Sequence, residues 1–148
     1  MQAFALTEIG KVRKDNEDSY LVSVGRGLFS VADGMGGYAG GQVASSIAIR
    51  VLEQELPSQA VGADAPGNYG EALLAALQKA NKIILAQGQK EEYLGMGTTV
   101  TTAQFADGRL WIAHIGDSRA YLCRAGHVRH LTQDHSLVNE LVQQGELT

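Results

Sequence analysis

The stretch "VADGMGGYAGGQVASS", residues 31–46, constrains this chain more than any other. An apolar run, Leu28 to Ala32, stops at Asp33, and Gly34, Gly36, Gly37, Gly40 and Gly41 follow. From Gly41 the hydrophobic period changes. Val43, Ile47 and Val51 recur every fourth residue, with Ala44, Ala48 and Leu52 beside them. Period-2 apolarity reads as a strand and this longer period as one face of a helix, which ends before Pro57. The stretch therefore predicts a strand, a turn of nearly bare backbone and a helix, with one carboxylate standing where the strand stops.

Elsewhere "FALTEIG" and "SYLVSVG" alternate as short strands bounded by glycine, and Gly25-Arg26-Gly27 reads as a reversal into "LFSVA". Residues 58–68 read as a loop. A second helix is predicted from Tyr69 to Gln87, with Leu73, Leu77, Ala80 and Ile84 inward. Residues 97–132 read as three strands, with a hairpin at Asp107-Gly108 and a reversal at Arg124-Ala125-Gly126. Residues 132–145 close as a helix, capped by Asp134 or Ser136 and stopped at Gly145. This order predicts an α+β layered fold.

Composition narrows the function classes. A chain of 148 residues, 45% hydrophobic and 19% charged, fills one globular core. A net charge of −4 gives no electrostatic footprint for nucleic acid. No run of about 20 apolar residues predicts membrane insertion, and "MQAFALTEIG" lacks the basic start and long apolar centre of a signal peptide. The lone Cys123 forms no internal disulfide, which favours a cytoplasmic setting; it reads as a buried strand residue.

The chemistry-bearing residues are carboxylates at strand ends. Asp33 ends a strand, Asp18 begins one beside Glu17, and Asp117 lies between strands. Mg²⁺ and Mn²⁺ take oxygen ligands and keep several waters. A carboxylate followed by glycine suits them, because the Gly34 carbonyl can also reach an ion and Gly36-Gly37 leaves room. "DGMGG" alone better fits a loop with an aspartate at a helix start. Arg13, five residues before Asp18, is a fork for phosphate oxygens or, with Lys11 and Lys14, part of a solvated basic face. Asn16 fits a turn or a site hydrogen bond. Ser118 in "GDSR" has no partners in a triad pattern and is not read as a nucleophile. His114 reads as a satisfied strand histidine, His127 and His130 as surface residues, and His135 stays ambiguous.

Taken in order, "VRKDNEDSY", "VADGMGGYAGGQVAS", "GMGTTVTTA" and "IAHIGDSRAYLCRAGHVRHLTQDHSLV" resemble the bacterial branch of the PPM family. These are the metal-dependent serine/threonine protein phosphatases of the phosphatase 2C type. The resemblance runs from Ile9 to Thr148. It implies a four-layer α-β-β-α sandwich with two metal ions, Mn²⁺ or Mg²⁺, at one end, and a third, weaker ion in bacterial members. It implies that Asp33 bridges the pair, that the Gly34 carbonyl binds one ion, and that Asp18 and Glu17 are the acidic pair near the second. Arg13 matches the phosphate-gripping arginine, Asp117 matches the acid of the third ion, and Thr98 and Thr99 match a strand motif read as structural. The implied reaction is hydrolysis of phosphoserine and phosphothreonine on proteins by a metal-activated water, opposing a serine/threonine kinase.

Two departures qualify the resemblance. Met35 stands where eukaryotic members carry a histidine, so no general acid is implied there. The family's later aspartates, in an "SDGL"-like strand end and a "DN" motif, have no counterpart after Asp117. Residues 1–148 are therefore expected to be the N-terminal part of one PPM-type catalytic domain, to hold at most one ion of the pair tightly, and to turn over little alone. Two alternatives remain: a non-catalytic phospho-recognition module that keeps Arg13 and one metal, and a structural metal-binding domain.

Overall fold

A computed structural model describes residues 1–37, 39–56 and 68–135. The elements are β1 (Asp18–Ser23), β2 (Leu28–Met35), α1 (Gly40–Glu55), α2 (Tyr69–Gln87), β3 (Gly97–Thr98), β4 (Val100–Ala106), β5 (Arg109–Ile115), β6 (Tyr121–Arg124) and β7 (His127–His130). An antiparallel sheet runs β1-β2-β4-β5, with β3 paired to the end of β2, while β6 and β7 form a separate hairpin.

Alternation in the strands fixes which face is covered. In β2, Leu28, Ser30, Ala32 and Gly34 are buried, while Val31 and Asp33 are exposed. The buried face receives α1, which packs on β1, β2 and β3, and α2, which packs on α1 and β5. Leu28, Leu52, Leu73 and Ala48 are essentially inaccessible in the resulting core. On the other face Tyr20, Val22, Val31, Phe105 and Leu110 remain open, with Phe29 and Phe105 edge to face at 6.2 Å. The described residues thus supply a helix layer and a sheet whose second face is apolar and uncovered.

Local chemistry sets the ends. Asn68 caps α2 by accepting the Glu71 N–H at 3.2 Å. Arg26 donates to the Glu53 carbonyl at 2.9 Å and to the Leu56 carbonyl, placing a cation on the negative end of α1. Asp107 and Gly108 both have positive φ, 51° and 68°, as a two-residue hairpin turn requires.

The structure differs from the sequence reading in four places. "FALTEIG" forms no strand, and Phe4 and Leu6 stay exposed, because no described strand offers them a ladder and a lone strand is not stable. The stretch 97–132 holds five strand segments rather than three. Thr99 turns its N–H to the Asp33 carbonyl and separates β3 from β4, and the hairpin β6–β7 stands apart from the sheet. Cys123 is exposed, because the hairpin that carries it is open on both faces. Of the expected closing helix, residues 132–135 are not helical and the rest lies outside the described residues, as do Ser136 and Gly145.

Candidate metal centre

The register of β1 against β2 sets Asp18 directly opposite Asp33. Like charges facing each other across a ladder destabilise it, so the pair is a stability cost that folding alone does not explain. The Asp33 carboxyl is raised from its ordinary value, first because protein displaces its water and then because of the Asp18 charge. Arg13 pulls it down, and Asp117 adds a further push upward. Arg13, Asp18, Asp33 and Asp117 therefore share one electrostatic neighbourhood.

Hydrogen bonds hold both aspartates from behind. The Asp33 N–H donates to the Thr99 hydroxyl at 3.0 Å. The Asp33 carbonyl accepts the Thr99 N–H at 2.9 Å and the Thr98 hydroxyl at 3.0 Å. The Asp18 N–H donates to Asn16 Oδ1 at 3.0 Å, and the Thr7 hydroxyl donates to Asp18 Oδ2 at 3.1 Å. Asn16 Nδ2 donates in turn to Thr7 at 2.7 Å, so Asn16 is both turn former and site hydrogen bonder.

Glu17 goes the other way, because neighbours in an extended chain point to opposite sides. Its carbonyl accepts the Gly34 N–H at 3.2 Å and the hydroxyl of fully buried Ser45 at 2.7 Å. Its carboxylate lies against Gly41 in the first turn of α1, and Oε1 is buried with no hydrogen-bond partner among the described residues. The glycines follow from this crossing. A Cβ on Gly34 would stand 2.1 Å from the Gly41 carbonyl oxygen, and one on Gly41 would stand 2.5 Å from Glu17 Oε1. At Gly37 no described residue beyond its chain neighbours would lie within 4 Å of an added Cβ. Close backbone contact explains Gly34 and Gly41, and no such contact is found at Gly37 among the described residues.

Asp117 sits in a turn pinned from two sides. Ser118 Oγ lies 2.7 Å from Thr99 Oγ1, and the Thr101 hydroxyl donates to the Ser118 carbonyl at 2.8 Å. Behind the turn, His135 donates its N–H to the Gly116 carbonyl at 2.8 Å, and Arg119 pairs with Asp134. His114 lies between the Thr101 hydroxyl at 2.9 Å and the Gln133 carbonyl at 3.1 Å. His127 and His130 are exposed, as expected. Asp134 engages Arg119, so its carboxylate serves the turn.

A cavity of about 240 Å³ lies over this region, lined among others by Thr7, Asp18, Ser19, Asp33 and Ser118. Among the described residues no three His, Cys, Asp or Glu side chains converge on one point. The donor set nonetheless fits a hard cation. Mg²⁺-type ions bind through one or two carboxylates and keep their waters, and the facing Asp18–Asp33 pair carries the excess negative charge that such an ion relieves. Sequence reasoning missed Thr7, Ser45 and the hydroxyls of Thr99 and Ser118. For Thr99 the available signal was the four threonines among residues 98–102, which mark strand as readily as site.

The pattern described as "Protein phosphatase 2C" matches residues 4–141, and the chain belongs to that family. It is 44% identical over 146 residues to the serine/threonine protein phosphatase PstP of Mycobacterium tuberculosis, covering 97% of this chain and 27% of that protein. It is 38% identical over 151 residues to the protein phosphatase PhpP of Streptococcus pneumoniae, covering 100% of this chain and 61% of that protein. A crystal structure of the PstP catalytic domain in complex with two manganese ions superposes with a TM-score of 0.78 at 42% identity, over 94% of this chain and 58% of that one. The α+β fold is thus that of the PPM phosphatases, and the chain spans between about a quarter and three-fifths of the length of these relatives.

Proposed function

We propose that the protein is a metal-dependent serine/threonine protein phosphatase whose site is built on Asp18, Asp33 and Arg13. The observation that carries this reading is the facing Asp18–Asp33 pair, with a guanidinium in the same electrostatic neighbourhood. In this reading Asp33 and the Gly34 carbonyl would hold a pair of divalent cations, with Asp18 beside the second and Asp117 at a third. Glu17, whose carboxylate is turned against Gly41, would reach the second ion only through ordered water. The manganese ions of the PstP structure support Mn²⁺, and Mg²⁺ suits the same oxygen donors. Bound cations supply positive charge to the phosphoryl oxygens and lower the pKa of an attacking water.

The chain's own residues do the rest. Arg13 grips phosphoryl oxygens with a planar fork of donors. Thr98 and Thr99 fix the Asp33 backbone, while Thr7 and Asn16 fix Asp18. The Met35 thioether has no proton to give, so the leaving serine or threonine oxygen takes one from water or from another group. Substrates are phosphoserine and phosphothreonine proteins made by a serine/threonine kinase. The setting is the cytoplasm, where the exposed thiol of Cys123 stays reduced. Residues 1–148 act as the N-terminal part of one catalytic domain. The uncovered apolar sheet face supports this, as a surface that a second sheet would bury.

The test is hydrolysis of p-nitrophenyl phosphate and of a phosphothreonine peptide by the complete protein in Mn²⁺. Arg13→Ala is expected to raise KM by about tenfold with a smaller loss in kcat. Manganese calorimetry on residues 1–148 alone is expected to show at most one tight site. No turnover with metal, together with Arg13-dependent phosphopeptide binding, would replace this reading with the phospho-recognition module.

A further inference from the structure

A threonine or serine hydroxyl has one hydrogen to give and two lone pairs. Thr99 Oγ1 already accepts the Asp33 N–H at 3.0 Å and lies 2.7 Å from Ser118 Oγ. Among the described residues, the Ser118 oxygen is the one acceptor placed for the Thr99 hydrogen. With Thr99 donating, both of its roles are filled. In the reverse orientation the Thr99 hydrogen has nowhere to go, and a half-buried donor left unmade is costly. Once Thr99 donates to Ser118, the Ser118 hydrogen is unspent, and no described residue accepts it. Ser118 lines the same cavity as Asp18 and Asp33, whose volume of about 240 Å³ is the liquid share of several waters.

We propose that the Ser118 hydroxyl donates a hydrogen bond to an anionic oxygen of the phosphoryl group held in this cavity. The proposal rests on the phosphatase reading above and adds a substrate-binding residue to it. Ser118 is held for the task. Its carbonyl accepts the Thr101 hydroxyl at 2.8 Å, and the Gly116 carbonyl of the same turn accepts the His135 N–H at 2.8 Å. A donor fixed before the ligand arrives loses little freedom on binding. Phosphoryl oxygens only accept, so they match a group that has only a hydrogen left to offer. The role is binding, with no covalent step. Among the described residues the one group hydrogen-bonded to Ser118 Oγ is a neutral hydroxyl, and the nearby His114 Nδ1 is engaged by Thr101, so no described base is hydrogen-bonded to Ser118 Oγ to take its proton.

The experiment uses the complete protein in Mn²⁺, with inorganic phosphate as the calorimetric probe and p-nitrophenyl phosphate for kinetics. Ser118→Ala is expected to weaken phosphate binding by about tenfold, the worth of one hydrogen bond to a charged group. KM should rise by a similar factor. Tm should fall slightly, because Thr99 loses the acceptor of its hydrogen, while the Mn²⁺ activation constant should change far less than the phosphate affinity, a split that a structural role would not produce. Ser118→Thr keeps the hydroxyl and is expected to keep phosphate affinity. Phosphate affinity within twofold of wild type in Ser118→Ala overturns the assignment, as does an equal loss in both variants or a shift in the Mn²⁺ constant that accounts for the loss. If the wild type hydrolyses substrate and only the phosphate result fails, the phosphatase reading stands without this contact. If the wild type neither hydrolyses substrate nor binds phosphate, both fall.

Discussion

Thr99 holds Asp33 from both sides: its hydroxyl accepts the aspartate N–H at 3.0 Å, and its own N–H donates to the aspartate carbonyl at 2.9 Å. The same hydroxyl reaches Ser118, one residue beyond Asp117. One side chain therefore ties the end of β2 to the turn that carries the third acid. This is a mechanical reason for a threonine at the gap between β3 and β4.

Thr99→Val keeps the volume and removes the acceptor. The Asp33 N–H is left without its partner and the bond to Ser118 is lost with it, about 1–3 kcal/mol for the two ordinary hydrogen bonds together. Urea unfolding should show that loss, and the Mn²⁺ activation constant should rise with it. Thr98→Val is the control. The Asp33 carbonyl keeps the Thr99 N–H, so the cost should stay near 0.5–1.5 kcal/mol, roughly one ordinary hydrogen bond. Equal costs for the two variants would mean that the Asp33 N–H is not the group that matters.

Asp33→Asn should stabilise the metal-free protein while removing activity. The Asp33 carboxyl is raised from its ordinary value by lost hydration and by Asp18 opposite, so its ionised form is disfavoured by the fold. A neutral amide removes both penalties, and Tm without metal should rise. With Mn²⁺ the variant should lose more than ~100-fold in turnover, beyond what removing a residue behind a ligand does. A Tm that falls without metal would show that Asp33 is ion-paired strongly enough by Arg13 to stabilise the fold.

How much was legible in sequence follows from the range of each interaction. The strand into Asp33, the helix read from Gly41 and the hairpin at Asp107-Gly108 are local patterns and were readable. The strand's last two residues, Gly34 and Met35, were not, because they are strand only through their pairing with β3. Thr7 on Asp18 was not, because it links an exposed segment to a strand 11 residues away and carries no periodic signal. The "FALTEIG" alternation misled because a period-2 pattern states a capacity to pair, and a strand exists only where a ladder is supplied. The separate fates of Glu17 and Asp18 follow from the pleat. Adjacent acids read as a pair in sequence, yet one faces the helix and the other the open side.

Two glycines of the same motif should respond oppositely to alanine. A Cβ on Gly41 meets Glu17 Oε1 at 2.5 Å and the Gly34 carbonyl carbon at 2.8 Å, and the second of these is backbone that cannot swing away. Gly41→Ala should cost about 1–3 kcal/mol, the range for forced overpacking, and should displace Glu17. Gly37→Ala meets no described residue within 4 Å and should be close to neutral in stability. Chemical denaturation of the two variants side by side decides it. A neutral Gly41→Ala would mean that the β2–α1 crossing is looser than its contacts imply.

The last prediction concerns the clasp between Arg119 and Asp134. The Arg119 hydrogen bonds hold the Asp134 carboxyl below its ordinary value of 3.8, with smaller help from the charges of Arg119, His130 and His114. A carboxyl lowered by folding contributes stability that is fully present above its unfolded pKa. That stability is lost as pH falls through the lower, folded value. Between about pH 5 and pH 3 the wild type should therefore lose stability partly through this group. Asp134→Asn cannot be protonated in that range. It should start less stable near neutrality and lose less on acidification, so the two curves converge at low pH. Because the same clasp backs the Asp117 turn, Ser118 and Gly116 should show faster amide exchange in the variant at neutral pH. Parallel acid curves, with unchanged exchange at Gly116 and Ser118, would show that the Arg119–Asp134 pair holds nothing in place.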